Sequence, residues 1–148
     1  MRVVVQRVKR AEVRVGGAPV GAIGPGLLLY AAFRGEDGEQ DLAWMAEKIV
    51  TLRVFEDEQG KMNRSALDVD GHLLVVSQFT LYGDARKGRR PSFDRAAPAE
   101  TARALFEKFI DRLRPSGLII QSGRFQETMQ VESVNDGPVT ILIDSPAG

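Results

Sequence analysis

The chain has 148 residues, enough for one well-buried core, and its 20 lysines plus arginines balance 20 aspartates plus glutamates, so bulk charge supplies no general attraction to nucleic acid. It has no cysteine and a single histidine, His72, which excludes disulfides, a thiol nucleophile and multi-histidine metal clusters. Residues 1–10 lack the apolar core of a signal peptide, and no apolar run approaches the ~18 residues of a membrane span. The expectation is a cytoplasmic protein, a single domain over residues 1–148, with no cofactor, no metal and no membrane partner.

Valine-rich segments at 2–8 and 11–15, followed by Gly16-Gly17 and Val20, predict a strand, a turn and a returning strand. After Gly24-Pro25-Gly26, the unbroken apolar run 27–33 predicts a central strand covered on both faces. Leu42, Met45, Ala46, Ile49 and Leu52 recur at helical spacing and define a first helix. Residues 53–63 read as a short strand and a turn at Gln59-Gly60, and 73–82 as a second long strand whose latter half turns polar. Pro98 opens a second helix whose apolar face is Ala102, Leu105, Phe106, Phe109, Ile110 and Leu113, and Pro115 to Gly117 stop it. Strands at 118–121, 128–134 and 139–144 complete the chain, the last two joined by a turn at 135–138. This order predicts an α+β fold with a mixed, mostly antiparallel, barrel-like sheet and two helices. Neither GxGxxG nor GxxxxGK[ST] occurs, which disfavours the common nucleotide-dependent chemistries.

Two places break the pattern of a buried strand. Ser77-Gln78-Phe79-Thr80 puts polar groups on an apolar strand; by alternation Ser77 and Phe79 face one way and Gln78 and Thr80 the other, so either face serves as a pocket wall or the polar groups satisfy strand-edge hydrogen bonds. A serine or threonine nucleophile needs an adjacent base, and His72 is about 16 Å from Ser77 along an extended strand and on the other face. The second break, Asn135 to Thr140, is on turn chemistry alone a connection between strands. The run 86–93, with Arg86, Lys87, Arg89 and Arg90 beside Phe93, is either a solvated loop or a local RNA contact.

The motifs VVQRV at 4–8, IGPGLL at 23–28, GKMN at 60–63, VVSQFTLYGD at 75–84, RPSF at 90–93, MQV at 129–131 and NDGPVT at 135–140 together resemble the D-aminoacyl-tRNA deacylase family, also named D-tyrosyl-tRNA deacylase. The resemblance runs nearly end to end, and SQFTL with NDGPVT is its most specific pair. It implies hydrolysis of the ester of D-aminoacyl-tRNA, and of glycine mischarged on the alanine tRNA, with chirality proofreading by rejection of L-amino acids. It implies a homodimer in which Gly137-Pro138, held cis, enters the partner's site and crowds the substrate's α-carbon with two carbonyl oxygens. Ser77, Gln78 and Phe79 match the wall that holds the terminal adenosine and offers backbone donors to the scissile carbonyl. Thr80 matches a residue once proposed as nucleophile; with no base in view, assistance by the tRNA's own 2′-hydroxyl suits the residue inventory better. Phe125 and Met129 match pocket-lining positions, and Arg7 the arginine that orients the Gly-Pro segment. The chain departs from the family pattern at Gln126-Glu127-Thr128. The expected partners are the acceptor end of D-aminoacyl-tRNA and a second copy of the chain, with no DNA. The competing readings are a nonenzymatic RNA-binding module using the 86–90 cations and a serine esterase acting through Ser77.

Overall fold

The computed structural model describes residues 1–146. In chain order the elements are β1 (Arg2–Val15), β2 (Ala18–Ile23), β3 (Gly26–Ala32), α1 (Glu39–Thr51), β4 (Phe55–Glu56), β5 (Met62–Arg64), α2 (Ala66–Val69), β6 (His72–Ser77), α3 (Ala99–Leu113), β7 (Ile120–Ser122) and β8 (Gln130–Asp144), with short 3-10 turns at Phe79–Tyr82, directly after β6, and at Arg114–Ser116, directly after α3. The main sheet runs β2-β1-β3-β6-β7, and β8 pairs with the other edge of β1. Pairings of β1 with β2, β3 and β8 are antiparallel, whereas β3–β6 and β6–β7 are parallel. The sheet is therefore mixed, and it curls into a nearly closed barrel. Gly21 of β2 lies so close to β7 that a Cβ there would sit 2.7 Å from the Ser122 carbonyl oxygen, so only glycine permits this approach.

Side-chain alternation explains the unbroken apolar runs of β3 and β6. Leu27, Leu29, Leu73 and Val75 point to the side covered by α1 and α3, where they meet Met45, Ile49 and Phe109. Leu28, Leu74 and Val76 point the other way and join Val8, Val13 and Ile23 inside the barrel. With both faces covered, no polar position is tolerated between them. The helices follow their predicted stripes: Leu42, Met45, Ala46 and Ile49 of α1 and the six apolar positions of α3 are all buried. Phe33 meets Phe109 edge-on at 6.4 Å between this face and α3.

Two predicted elements differ from the structure. The strand read over 73–82 stops at Ser77, and the apparent alternation beyond it arises because Tyr82 is buried by the 3-10 turn, not by a sheet. The 135–138 segment does not reverse the chain either. Gln6 pairs with Thr140 and Val8 with Asn135, so β8 runs along β1 on both sides of a wide bulge that absorbs the extra residues.

Candidate active site

The polar break after β6 is where the sheet ends and a cleft begins. The Gln78 amide still donates to the Ala31 carbonyl at 2.8 Å, but its backbone (φ −144°, ψ 77°) turns the chain into the Phe79–Tyr82 segment. Tyr82 anchors that segment: its ring is buried, with the Arg2 and Arg95 guanidinium carbons 5.1 and 5.4 Å from its centroid. Burial holds its phenol up at about 12, so the anchor stays neutral. Arg2 also donates to the Leu81 carbonyl at 3.1 Å, tying the turn to the start of β1. The amides of Phe79 and Thr80 open a helical turn and have no partner within it, which leaves both to donate outside the turn, directly after the cleft-lining Gln78.

The cleft encloses about 720 Å³. Ser77, Gln78 and Phe79 form one wall, and Phe125 and Met129 the other. Phe93 closes the rim by packing edge-on against Phe79, ring centroids 5.2 Å apart. Phe125 is fixed from behind by Phe106 at 6.0 Å and by the Arg103 guanidinium at 4.8 Å. Arg103 also donates to the Gln126 side-chain oxygen at 3.0 Å, and Gln126 itself sits in the left-handed region at φ 61°. The Gln126-Glu127-Thr128 segment therefore forms part of the rim.

Chemically, the cleft offers aromatic edges, amides and hydroxyls. Among the described residues lining it, Glu127 is the one titratable side chain, and it is exposed. Thr80 lies outside the lining, and its hydroxyl accepts a hydrogen bond from Gln78 Nε2. His72 sits at the far end of β6, where its Nδ1 accepts from the Gly24 amide at 3.3 Å. The described side chains thus present no histidine or lysine beside Ser77.

Arg7, Gly137 and Pro138 are not part of this cleft within one chain. Gly137 and Pro138 are exposed on the β8 bulge, and the bond between them is cis. The bulge is held by Arg7, which is buried: its Nη1 donates to the Val54 carbonyl at 2.7 Å and its Nε to the Asp136 carbonyl at 3.1 Å. Asn135 braces the other side, accepting from the Val139 amide at 3.3 Å and donating to the Thr140 hydroxyl at 3.1 Å. The family model described as D-Tyr-tRNA(Tyr) deacylase matches residues 4–144, which takes in both the cleft and the bulge. The chain belongs to this deacylase family.

Curated relatives named D-aminoacyl-tRNA deacylase agree over whole chains. The protein of Symbiobacterium thermophilum is 59% identical over 98% of this chain and 96% of its own length. That of Desulfitobacterium hafniense is 60% identical over 98% and 97%. Among solved structures, the c-Myc DNA unwinding element binding protein superposes with a TM-score of 0.93 at 45% identity, covering 99% of this chain and 100% of that one. A probable eukaryotic D-amino acid tRNA deacylase shares the fold at a TM-score of 0.84 and 19% identity, over 96% and 97% of the two chains. For a member of the deacylase family, the sequence singled out Ser77, Gln78, Phe79, Phe125 and Met129, which do meet in one cleft. It named Phe93 only beside the basic run, not at the cleft, and did not name Arg103. The signal for Phe93 was its place directly after the basic run, whereas Arg103 reads only as an exposed helix position.

Proposed function

We propose that this chain hydrolyses the ester joining a D-amino acid or glycine to the 3′ end of tRNA, acting in the cytoplasm as a two-fold homodimer in which Gly137-Pro138 of one protomer closes the cleft of the other. The carrying observation is a separation within one chain. Among the described residues the cleft of about 720 Å³ holds no histidine or lysine beside its serine, while a Gly-Pro edge stands exposed elsewhere, braced by a buried arginine. An exposed backbone edge this firmly held suits insertion into another surface, and a reciprocal contact makes the assembly two-fold. The family membership supports the substrate class.

In this reading the terminal adenosine lies against Ser77–Phe79, and the Phe79 and Thr80 amides are the donors for the oxyanion that forms at the ester carbonyl. The partner's Gly-Pro carbonyls face the α-carbon. Hydrogen fits toward them and a side chain does not, so D-residues and glycine pass and L-residues are excluded. Because backbone does the excluding, the side chain of a D-residue remains unread and many D-amino acids are accepted.

The test is deacylation of tRNA charged with matched D- and L-tyrosine. A preference for the D-ester of at least about 100-fold in kcat/KM, worth about 2.7 kcal/mol, is expected. Comparable rates on the two esters would sink the chiral reading. With no covalent nucleophile assigned, Ser77→Ala, Thr80→Val and Glu127→Gln should each keep deacylation within about tenfold of the parent, because a lost general base costs more, roughly 10²–10⁴-fold. An acyl-enzyme trapped on Ser77 or Thr80 would overturn this in favour of an esterase mechanism.

A further inference from the structure

We infer that the loop between Asp84 and Ser92 is a phosphate-binding arm that holds the single-stranded RNA leading away from the cleft; this rests on the reading of the cleft given above. Two backbone hydrogen bonds, Asp84 amide to Ser92 carbonyl at 2.7 Å and Ser92 amide to Asp84 carbonyl at 2.9 Å, close the loop into a unit. The next residue is Phe93, the rim residue packed against Phe79, so the arm is rooted at the mouth.

Within the arm the cations divide. Arg86 is occupied: its Nη2 lies 2.6 Å from an Asp84 carboxylate oxygen, and its Nε and amide also donate to that carboxylate. These bonds hold the Asp84 carboxyl down at about 2, so the pair is intact and neutral at any pH well above that. Lys87, Arg89 and Arg90 are exposed, and among the described residues no carboxylate pairs with them. Elsewhere Arg2, Arg10, Arg14 and Arg112 are each matched to an acidic partner, while the exposed Arg53, Arg95, Arg103 and Arg124 that also lack a paired carboxylate among the described residues are not gathered three to one short loop. No acidic residue occurs from 85 to 93, and Gly88, at φ 64°, turns the tip.

A chain with zero formal net charge has no long-range field for RNA, so three unmatched cations on one short loop set the local attraction. From the Asp84 bridge to Gly88 the arm extends at most about 14 Å. That keeps the cations beside the few phosphates preceding a nucleotide seated in the cleft. An acidic protein partner has no comparable feature to align it, whereas RNA in the cleft delivers its phosphates to this position.

The experiment compares the parent with a Lys87→Gln, Arg89→Gln, Arg90→Gln triple variant on two esters, D-tyrosyl-tRNA and 3′-O-(D-tyrosyl)adenosine, the second lacking every phosphate. The ratio of kcat/KM on tRNA to that on the adenosine ester should fall at least about tenfold in the variant at low salt. Between 50 and 200 mM salt the parent should lose about fifteen-fold more tRNA activity than the variant, since three single-strand phosphate contacts contribute a salt slope of about 2. An unchanged ratio with an unchanged salt slope overturns the proposal and leaves a solvated loop. Equal loss on both esters also overturns it, by making the loop part of the cleft wall. A parent that hydrolyses neither ester would instead defeat the reading of the cleft itself.

Discussion

Gly137→Ala should lower kcat/KM on every D-aminoacyl-tRNA by at least about 100-fold while the protein still folds. Gly137 has φ 126°, a backbone conformation closed to L-residues with a side chain, so the variant must rotate that peptide. The space around it is equally restrictive. A Cβ would lie 3.0 Å from Arg7 Nη2, on a guanidinium fixed by the Val54 and Asp136 carbonyls, and 3.0 Å from Val139 Cγ2, so these neighbours must give way. The bulge therefore shifts as a unit. A displacement of about 1 Å at a group that positions substrate is enough for a 10²-fold loss. Folding survives because Gly137 and Pro138 are exposed and the change reaches the helix-side cluster only at its edge, through the partly buried Val139. Steady-state deacylation together with thermal unfolding separates the two effects. Parent-like activity in the variant, or a fully active monomer by sedimentation, would remove the Gly-Pro edge from the mechanism.

On turn chemistry alone this edge reads as a connection between two strands, which it is not. Asn-Asp-Gly-Pro has the residues of a turn, and turn chemistry is local, whereas what decides between a turn and a bulge is the partner of the flanking residues. Both flanks of 135–138 pair with β1, and nothing in the segment announces that. The parallel pairing of β3 with β6 is hidden for the same reason: an unbroken apolar run reports two covered faces, not strand direction. Elements defined by their own periodicity were fully legible, as α1 and α3 demonstrate. Short α2 is absent from the predicted elements: Ser65 caps the Asp68 amide while Asp68 accepts from the Ser65 amide, but four residues are too few to show a helical period. At the site, the polar break at Ser77 was visible. Its meaning, the end of a strand and the start of a 3-10 turn, required the buried Tyr82 to be seen in three dimensions.

A tRNA ending in 2′-deoxyadenosine, charged with a D-amino acid on its 3′-hydroxyl, should be hydrolysed at least about 100-fold more slowly than the ribose substrate, with the loss in kcat and little change in KM. The expectation follows from what surrounds the cleft. Hydrolysis needs a proton removed from water and charge stabilised at the ester carbonyl. The Phe79 and Thr80 amides can serve the second need, but no histidine or lysine stands by for the first. The Thr80 hydroxyl is engaged by Gln78, and Glu127, though acidic, is exposed at the rim where water screens it. The Ser77 and Thr128 hydroxyls in the lining have no histidine or lysine beside them to take a proton, and the other hydroxyl close to the carbonyl is the substrate's own, on the adjacent ribose carbon. A group fixed there acts at a high effective concentration, a source of several kcal/mol when orientation is good. Removing it leaves the binding contacts of base and phosphate in place, which is why KM should hold while kcat falls. Single-turnover deacylation of the two substrates measures the difference directly. Equal rates would require a protein-borne base, and Glu127→Gln on the deoxy substrate would then identify it.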